Sequence, residues 1–474
     1  DFCMSARYLT TTLPYVNADP HIGFALEIVQ ADVLARMWRA AGNEVFFSTG
    51  ADEHGQKILD AAKKASQDPQ EYVTHYAEEV KKLKGALNLS NDTFIRTTDA
   101  AHIKAAQEMW RRCDIAGDIY KKTYTGMYCV GCESFKTERE IVDGHCVVHT
   151  NLPLQEVTEE NYFFKFSNYK EKLLAYLNRP NVVIPDWRKE EAVTFVKEGL
   201  DDFSISREKS RLSWGVPVPG DDTQVMYVWF DALTNYISTL GWPEDKNGDF
   251  KTFWEEGETL QVAGKDQVRF QSLMWQAMLM SANIKTTDTV FYHGFINSGG
   301  QKMSKSLGNV ISPYELVKKY GTDATRYILL RHVHPFDDSD VTWERLDEWY
   351  TANLTNGLGN LVARVMKLSE SHLGTYVGVH PRKDLVALEQ FNFQAAMDDI
   401  WARIQKLDQE ITETEPFKVI KSDPERGKKI IDEQRTKLLF IAHTLKPYMP
   451  EISDKIHNAI VVGNKKPENL FPRL

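Results

Sequence analysis

Over the first fifty residues, apolar runs of strand length alternate with apolar positions at helical spacing, which restricts the chain to folds built around a parallel sheet. The stretch "ARYLTTTLPYV" reads as a short strand entering a loop. From Ile22, the positions Leu26, Val29, Val33, Leu34, Met37 and Trp38 recur at helical spacing, and Gly42 ends that helix. "EVFFSTG" follows as a buried strand and runs into the loop "ADEHG". Residues 120 to 200 break the pattern: strand-like, Cys-containing and rich in Tyr and Phe, they read as a module inserted between two halves of one α/β fold. The alternation then resumes. "MYVWFDAL", "TLQVAGKD" and "VFYHGFI" are apolar runs ending in polar or glycine-containing loops, as expected where strand ends deliver residues to a ligand crevice. From about residue 345, "LGNLVARVMKL", "FQAAMDDIWARIQKLDQEI" and "KKIIDEQRTKLLFIAHTLKPYM" carry helical periodicity without strands between them, so an all-α helical bundle is expected there.

A chain of 474 residues exceeds what one core usually supports, so several domains are expected. Apolar residues make up 42% and charged residues 26%, which excludes the disordered and fibrous classes. No apolar run approaches the ~20 residues of a membrane helix, and no basic-then-apolar leader opens the sequence, so the expected address is cytoplasmic, with no membrane partner. Lys and Arg number 57 against 67 Asp and Glu, a net charge of -10 that argues against nucleic-acid binding over the whole surface and leaves room for a local basic face.

Three of the five cysteines fall close together. Cys129-Val-Gly-Cys132 and, thirteen residues on, Cys146-Val-Val-His149 give two ligand pairs at the separation that closes a tetrahedral zinc knuckle. His145 competes with His149 as fourth ligand, at the disadvantage of adjoining Cys146. Four protein ligands leave no open position, so the metal is expected to be structural. Cys3 and Cys113 lack partners at ligand spacing and read as ordinary thiols. His21 and Gly23 stand where a helix begins, and unpaired backbone N–H groups there attract phosphate. "KMSKS", Lys302 to Ser306, places two lysines on a glycine-flanked loop, suited to neutralising charge on a leaving pyrophosphate.

Together with "LPYVNADPHIG", "GADEHGQKI", "YVWFDALTNYI", "GKDQVRF" and "GLGNLVAR", in that order, these signatures make the chain resemble the methionyl-tRNA synthetases, a family of class I aminoacyl-tRNA synthetases, over nearly its whole length. The resemblance implies a Rossmann-type parallel-sheet catalytic domain (residues 1–117 and 204–297) split by a connective insert with the zinc knuckle (118–203). After it come the KMSKS loop and linker (298–345) and a helical anticodon-binding domain (346–474). It implies activation of L-methionine by ATP with Mg²⁺ to methionyl-adenylate and transfer to the 3′ end of tRNA(Met). The sequence ends at "LFPRL" without the appended dimerising domain that some members carry, so a monomer is expected. Position by position, Leu13, Tyr15, Asp52, Trp229, Ala232, Tyr236 and Gln271 match the methionine site, with Asp52 meeting the ammonium group. His21, Gly23, Glu27, Lys265, Asp266, Lys302, Met303, Ser304 and Lys305 match positions around ATP, with His21, Lys302 and Lys305 as the catalytic group. Asn360, Arg364 and Phe417 match anticodon readers.

Four positions depart from the family pattern. Phe24 replaces the second histidine of the signature, Gln271 a histidine of the methionine site, Phe417 a tryptophan and Asp408 an asparagine. Losing one hydrogen bond to a charged group costs roughly 1.5–3 kcal/mol, about one to two decades of rate, so Phe24 implies a modified site rather than a dead one. The alternatives are a noncatalytic or altered-specificity tRNA-binding paralogue, and a class I synthetase for leucine, isoleucine or valine. The stretch between the two halves is too short for the editing insert of the latter enzymes.

Overall fold

The computed structural model describes residues 5–303, 307–379 and 388–474. Contacts divide the chain into two compact units: Asp1–Pro20, Glu44–Lys82 and Asn91–Tyr292 form one, and His21–Asn43, Leu83–Ser90 and His293–Leu474 the other.

The first unit is organised by a six-stranded sheet in the order Thr93–Arg96, Glu44–Ala51, Ala6–Thr11, Glu258–Gly264, Thr289–His293, Val183–Ile184. Ala6–Thr11 runs parallel to both its neighbours, and the outer pairs are parallel too. Leu9, Phe47 and Val262 are fully buried, as strands covered on both faces require. The chain leaves Ala6–Thr11 toward one edge and returns on its other side through Glu258–Gly264. That reversal opens a crevice at the carboxyl ends of these two strands, where ligands of open α/β sheets bind. Beneath it Tyr8, Trp254 and Trp275 are buried, and the Tyr8 hydroxyl donates to the Tyr236 carbonyl at 2.7 Å.

The inserted region opens as expected on a long antiparallel pair, Ile119–Cys129 with Gln155–Phe164, flanked by Ser134–Lys136. Its second half differs from the strand-like expectation. Lys170–Leu177 and Asp186–Glu198 are helices, and the short strand between them joins the main sheet. "MYVWFDAL" also departs: the strand Asp221–Met226 ends at its first residue, and Val228–Leu233 is helical. A short apolar run does not reveal its own periodicity, and here Asp231 is taken into the core by two histidines, which a strand end at a crevice would not have required.

The second unit is mainly helical. Its helices Thr322–Arg331, Asn360–His372, Phe393–Thr414, Pro424–Leu445 and Pro450–Val461 match the periodicity of the C-terminal third. The helix Ile22–Ala40 belongs to the same unit, and every residue from Phe24 to Ala35 along it is buried. Such burial takes in a charge, Asp32, which is paired with the equally inaccessible Arg326 at 2.8 Å. The remaining polar atoms are used: Asp32 accepts from the Ser90 backbone N–H and hydroxyl and from Arg36, and Arg326 donates to the carbonyls of Tyr448, Pro447 and Leu87. Burial pushes the Asp32 carboxyl up, and Arg326 and Arg36 outweigh it, leaving the group below the ordinary carboxylate range. Among the described residues, no helix is long and apolar enough to cross a membrane.

Candidate active site

In the first unit the chain leaves Ala6–Thr11 through Leu13 and Pro14, and Asp52 follows the neighbouring strand directly. The two extensions stay in register. Tyr15 and Asp52 form an isolated parallel bridge, the Asp52 N–H donates to the Pro14 carbonyl at 3.0 Å, and the Val16 N–H donates to the Asp52 carbonyl at 3.3 Å. Asp52 is thereby held 3% exposed, and its Oδ1 has no hydrogen-bond partner among the described residues. Burial raises its proton affinity well above the ordinary aspartate value, and the nearby carboxylates Asp231 and Glu133 add to the shift. A buried carboxyl oxygen without a donor is costly, and a cation supplied by a ligand satisfies it.

Asp231 is handled differently. His54 and His102 each place a ring nitrogen 2.7 Å from one of its oxygens, and the other ring nitrogen of His102 meets the Ser238 hydroxyl. Burial raises the Asp231 carboxyl, and the histidines more than reverse the shift. His54, to which the sequence assigned no role beyond loop structure, thus supports the helix that carries Trp229 and Ala232.

Aromatic rings collect beside Asp52. Trp229 stacks on Phe270 at 3.9 Å between centroids and 12° between planes, and Tyr15 meets Trp229 edge-on at 6.4 Å. Deeper, Tyr236 is 2% exposed and its hydroxyl receives a hydrogen bond from Gln271 Nε2, while Gln271 Oε1 lacks a partner among the described residues. Ala232 is buried and Leu13 half-buried. Lys265 and Asp266 form a short turn directly after Glu258–Gly264, with Lys265 half-buried and Asp266 exposed. Phe270 was not singled out from the sequence; the "VRF" within "GKDQVRF" is its only local signal.

The knuckle forms in the same unit. Cys129, Cys132, Cys146 and His149 bring their ligand atoms within 4.8 Å of one another. Cys132 Sγ lies 3.5 Å from Cys146 Sγ and 3.2 Å from His149 Nδ1. Tetrahedral ligands at a metal–sulfur length of about 2.3 Å stand about 3.8 Å apart, so this donor set fits a metal ion. Gly131 makes room for the imidazole, since a Cβ there would come within 2.5 Å of the His149 ring. His145 is exposed, with its ring turned to the Asp143 carbonyl, and lies outside the cluster.

In the second unit His21 caps the helix Ile22–Ala40: its Nδ1 accepts from the Gly23 N–H at 3.0 Å, which assigns the proton of the neutral ring to Nε2, the nitrogen able to donate to an anion. A side chain at position 23 would collide with that ring at 2.8 Å. Phe24 is 6% exposed and packs as a core residue. Glu27, one turn on, is buried against His293, whose Nε2 lies 2.9 Å from Glu27 Oε2 and whose Nδ1 faces the Gly294 carbonyl. His293 was missed in the sequence because its partner lies 266 residues away. Lys302 ends a short hairpin with Ile296–Ser298, its ammonium 5.3 Å over the Phe295 ring, and Met303 Sδ accepts from the Ile311 N–H. Ser304 and Lys305 lie outside the described residues, as does Cys3.

Of the expected RNA-reading residues, Asn360 is exposed, Phe417 is 43% exposed, and Arg364 is ion-paired with Asp408. The departure at position 408 therefore acts first on a neighbouring side chain.

Comparison with known proteins gives these sites a family. The family model "tRNA synthetases class I (M)" matches residues 7–152 and 139–366. A methionine–tRNA ligase of Fusobacterium nucleatum is 37% identical over 96% of this chain and 74% of its own length, and one of Rhizobium meliloti is 38% identical over 97% and 92%. The structure of Mycobacterium tuberculosis methionyl-tRNA synthetase in complex with methionyl-adenylate superposes with a TM-score of 0.89 at 35% identity, covering 98% of this chain and 96% of that one. With a parallel sheet beside which a buried carboxylate keeps one oxygen without a partner among the described residues, a capped signature helix and relatives this similar over almost all of its length, the chain belongs to the class I tRNA synthetases of the M type.

Proposed function

We propose that the chain is a methionine–tRNA ligase, and the observation that carries the reading is the Asp52 Oδ1, without a partner among the described residues, beside an aromatic stack. The oxygen receives the substrate ammonium. Tyr15, Trp229 and Ala232 enclose the thioether with Leu13, and a flexible, polarisable sulfur chain suits aromatic contacts. Tyr236 and Gln271 close the deep end of the slot.

The methionine carboxylate attacks the α-phosphorus of ATP. The new carboxyl oxygen–phosphorus bond forms as the bond to the bridging oxygen breaks, and pyrophosphate leaves with the electron pair. No covalent enzyme intermediate is needed, so positioning and charge neutralisation supply the rate. His21 donates from Nε2 to phosphate oxygen, Gly23 lets the nucleotide approach the chain, and Glu27, held by His293, contacts the nucleoside. In the first unit, Lys265 and Asp266 are the residues assigned to ATP. Lys302 and Lys305, with Met303 and Ser304, neutralise the departing pyrophosphate, and Mg²⁺ accompanies ATP. The terminal ribose hydroxyl of tRNA(Met) then attacks the mixed anhydride and releases AMP.

Zinc is the metal we assign to Cys129, Cys132, Cys146 and His149, where it holds the insert 118–203 in shape. Asn360, Arg364 and Phe417 in the region 346–474 read the anticodon, with Phe417 stacking on a base.

Methionine-dependent ATP–pyrophosphate exchange tests the reading. Exchange with methionine, and not with leucine, isoleucine, valine or cysteine, is the expected outcome. Its absence for every amino acid, with tRNA binding retained, would replace the reading by that of a noncatalytic tRNA-binding paralogue.

A further inference from the structure

We propose that Glu133 is a positioning residue for amino-acid binding: carried by the metal knuckle, its carboxylate ties the Tyr15 hydroxyl to the start of the helix Gln56–Lys64 and so fixes the ring beside Asp52. The inference rests on the methionine reading above and adds a residue on which neither the signatures nor the expected ligand set drew.

Glu133 follows the ligand Cys132 directly and is 3% exposed. Its φ of 54° puts a non-glycine residue in the left-handed region, a conformation that persists only when surrounding contacts impose it. Those contacts are present. The Glu133 carbonyl accepts from Arg207 Nη2 at 2.8 Å, and Arg207 is 2% exposed with its guanidinium 4.7 Å from the Tyr227 ring centroid. Both carboxylate oxygens are engaged. Oε1 accepts from the Lys57 backbone N–H in the first turn of Gln56–Lys64, a helix without a side-chain cap of its own, and Oε2 accepts from the Tyr15 hydroxyl at 3.3 Å. The approach is tight: a Cβ at Gly55 would stand 2.5 Å from Oε2, and the φ of +106° there excludes other residues independently. On the far side, Tyr15 bridges to Asp52, meets Trp229 edge-on, and carries the Lys57 ammonium 5.5 Å over its ring.

The knuckle thus reaches the amino-acid slot through one side chain. It holds the Tyr15 hydroxyl, and with it the ring, in place beside Asp52. Glu133→Ala removes that tie, whereas Glu133→Gln keeps hydrogen-bonding groups for Lys57 and Tyr15.

The test is calorimetric binding of methionine to the full chain, alongside KM for methionine and for ATP, zinc content and Tm. Glu133→Ala is expected to weaken methionine binding about tenfold, the size of one charge-assisted hydrogen bond. The KM for ATP and kcat stay within about twofold and zinc content is unchanged, with Glu133→Gln intermediate. In a Tyr15→Phe background the same substitution is expected to cost much less, because the hydroxyl through which it acts is gone. An unchanged methionine Kd in Glu133→Ala overturns the proposal, and so does a full tenfold loss in the Tyr15→Phe background. Should the alanine variant not fold, Glu133→Asp, one methylene short of both partners, carries the test: a several-fold loss supports the proposal and an unchanged Kd overturns it. A wild-type protein that binds no methionine would fail the functional reading itself, while a wild type that binds normally beside an unaffected Glu133→Ala would fail this inference alone.

Discussion

Asp52 and Asp231 sit in the same buried neighbourhood with opposite fates, because Asp231 has two histidines and Asp52 keeps an oxygen without a donor among the described residues. A carboxyl with raised proton affinity in the fold destabilises the folded chain once pH rises past its unfolded value of 3.8, since the unfolded chain then ionises more readily. Asp52→Asn should therefore raise the Tm of the free protein at neutral pH, by a stability gain of about 0.5–2 kcal/mol, while raising the methionine KM at least tenfold. Thermal melts with and without methionine check both halves. The same sign makes methionine affinity fall as pH drops toward the raised value, as the carboxylate is neutralised before the ammonium can use it. Phe24 asks the converse question at the other signature. Its ring is buried, so Phe24→His is expected to lower Tm and to raise the exchange rate about tenfold if the imidazole regains a phosphate contact. Asp52, Tyr15 and Trp229 could be named from the sequence through motif resemblance. Phe270, Glu133 and His293 could not, because their roles arise from partners brought close only by folding.

Two elements carry costs that their local sequence does not show. The helix Ile22–Ala40 buries Asp32, which is tolerable only because Arg326, nearly three hundred residues away, is buried against it with its own donors satisfied. Arg326→Ala should destabilise the protein by about 3–5 kcal/mol, read as a fall in urea midpoint. Because the Asp32 carboxyl lies below its ordinary value in the fold, its contribution is complete above about pH 4 and is lost as pH falls through the folded value. The urea midpoint of the wild type should accordingly decline more steeply below pH 4 than that of Asp32→Asn. In the knuckle, one zinc per chain is expected by dye titration, and its removal by a chelator should lower Tm. Its ligand spacing was legible because Cys-x-x-Cys and Cys-x-x-His are local, whereas nothing in the local sequence around Asp32 or Arg326 points to a partner 294 residues away. The reading failed at "MYVWFDAL" for a related reason: a short apolar run is compatible with strand or helix until its neighbours decide.

At the scale of the molecule, the alternation of strands and helices was enough to anticipate the parallel sheet and the helical C-terminal region, since periodicity reports which face is buried. The order in which the strands pair was not in that pattern. Ala6–Thr11 occupies the middle of the sheet, and on one side its partner is Glu258–Gly264. A ribosome adding roughly 5–20 residues per second takes roughly 12–50 seconds to make the 250 or so residues between them. For that interval the nascent chain presents an apolar strand edge with nothing to close it, a template for pairing with another chain. The protein's yield in a cell should then depend on chaperone capacity and translation speed more than its finished stability suggests, and nascent chains stalled before residue 258 should be cleaved by protease near Ala6–Thr11, whereas finished chains are protected there.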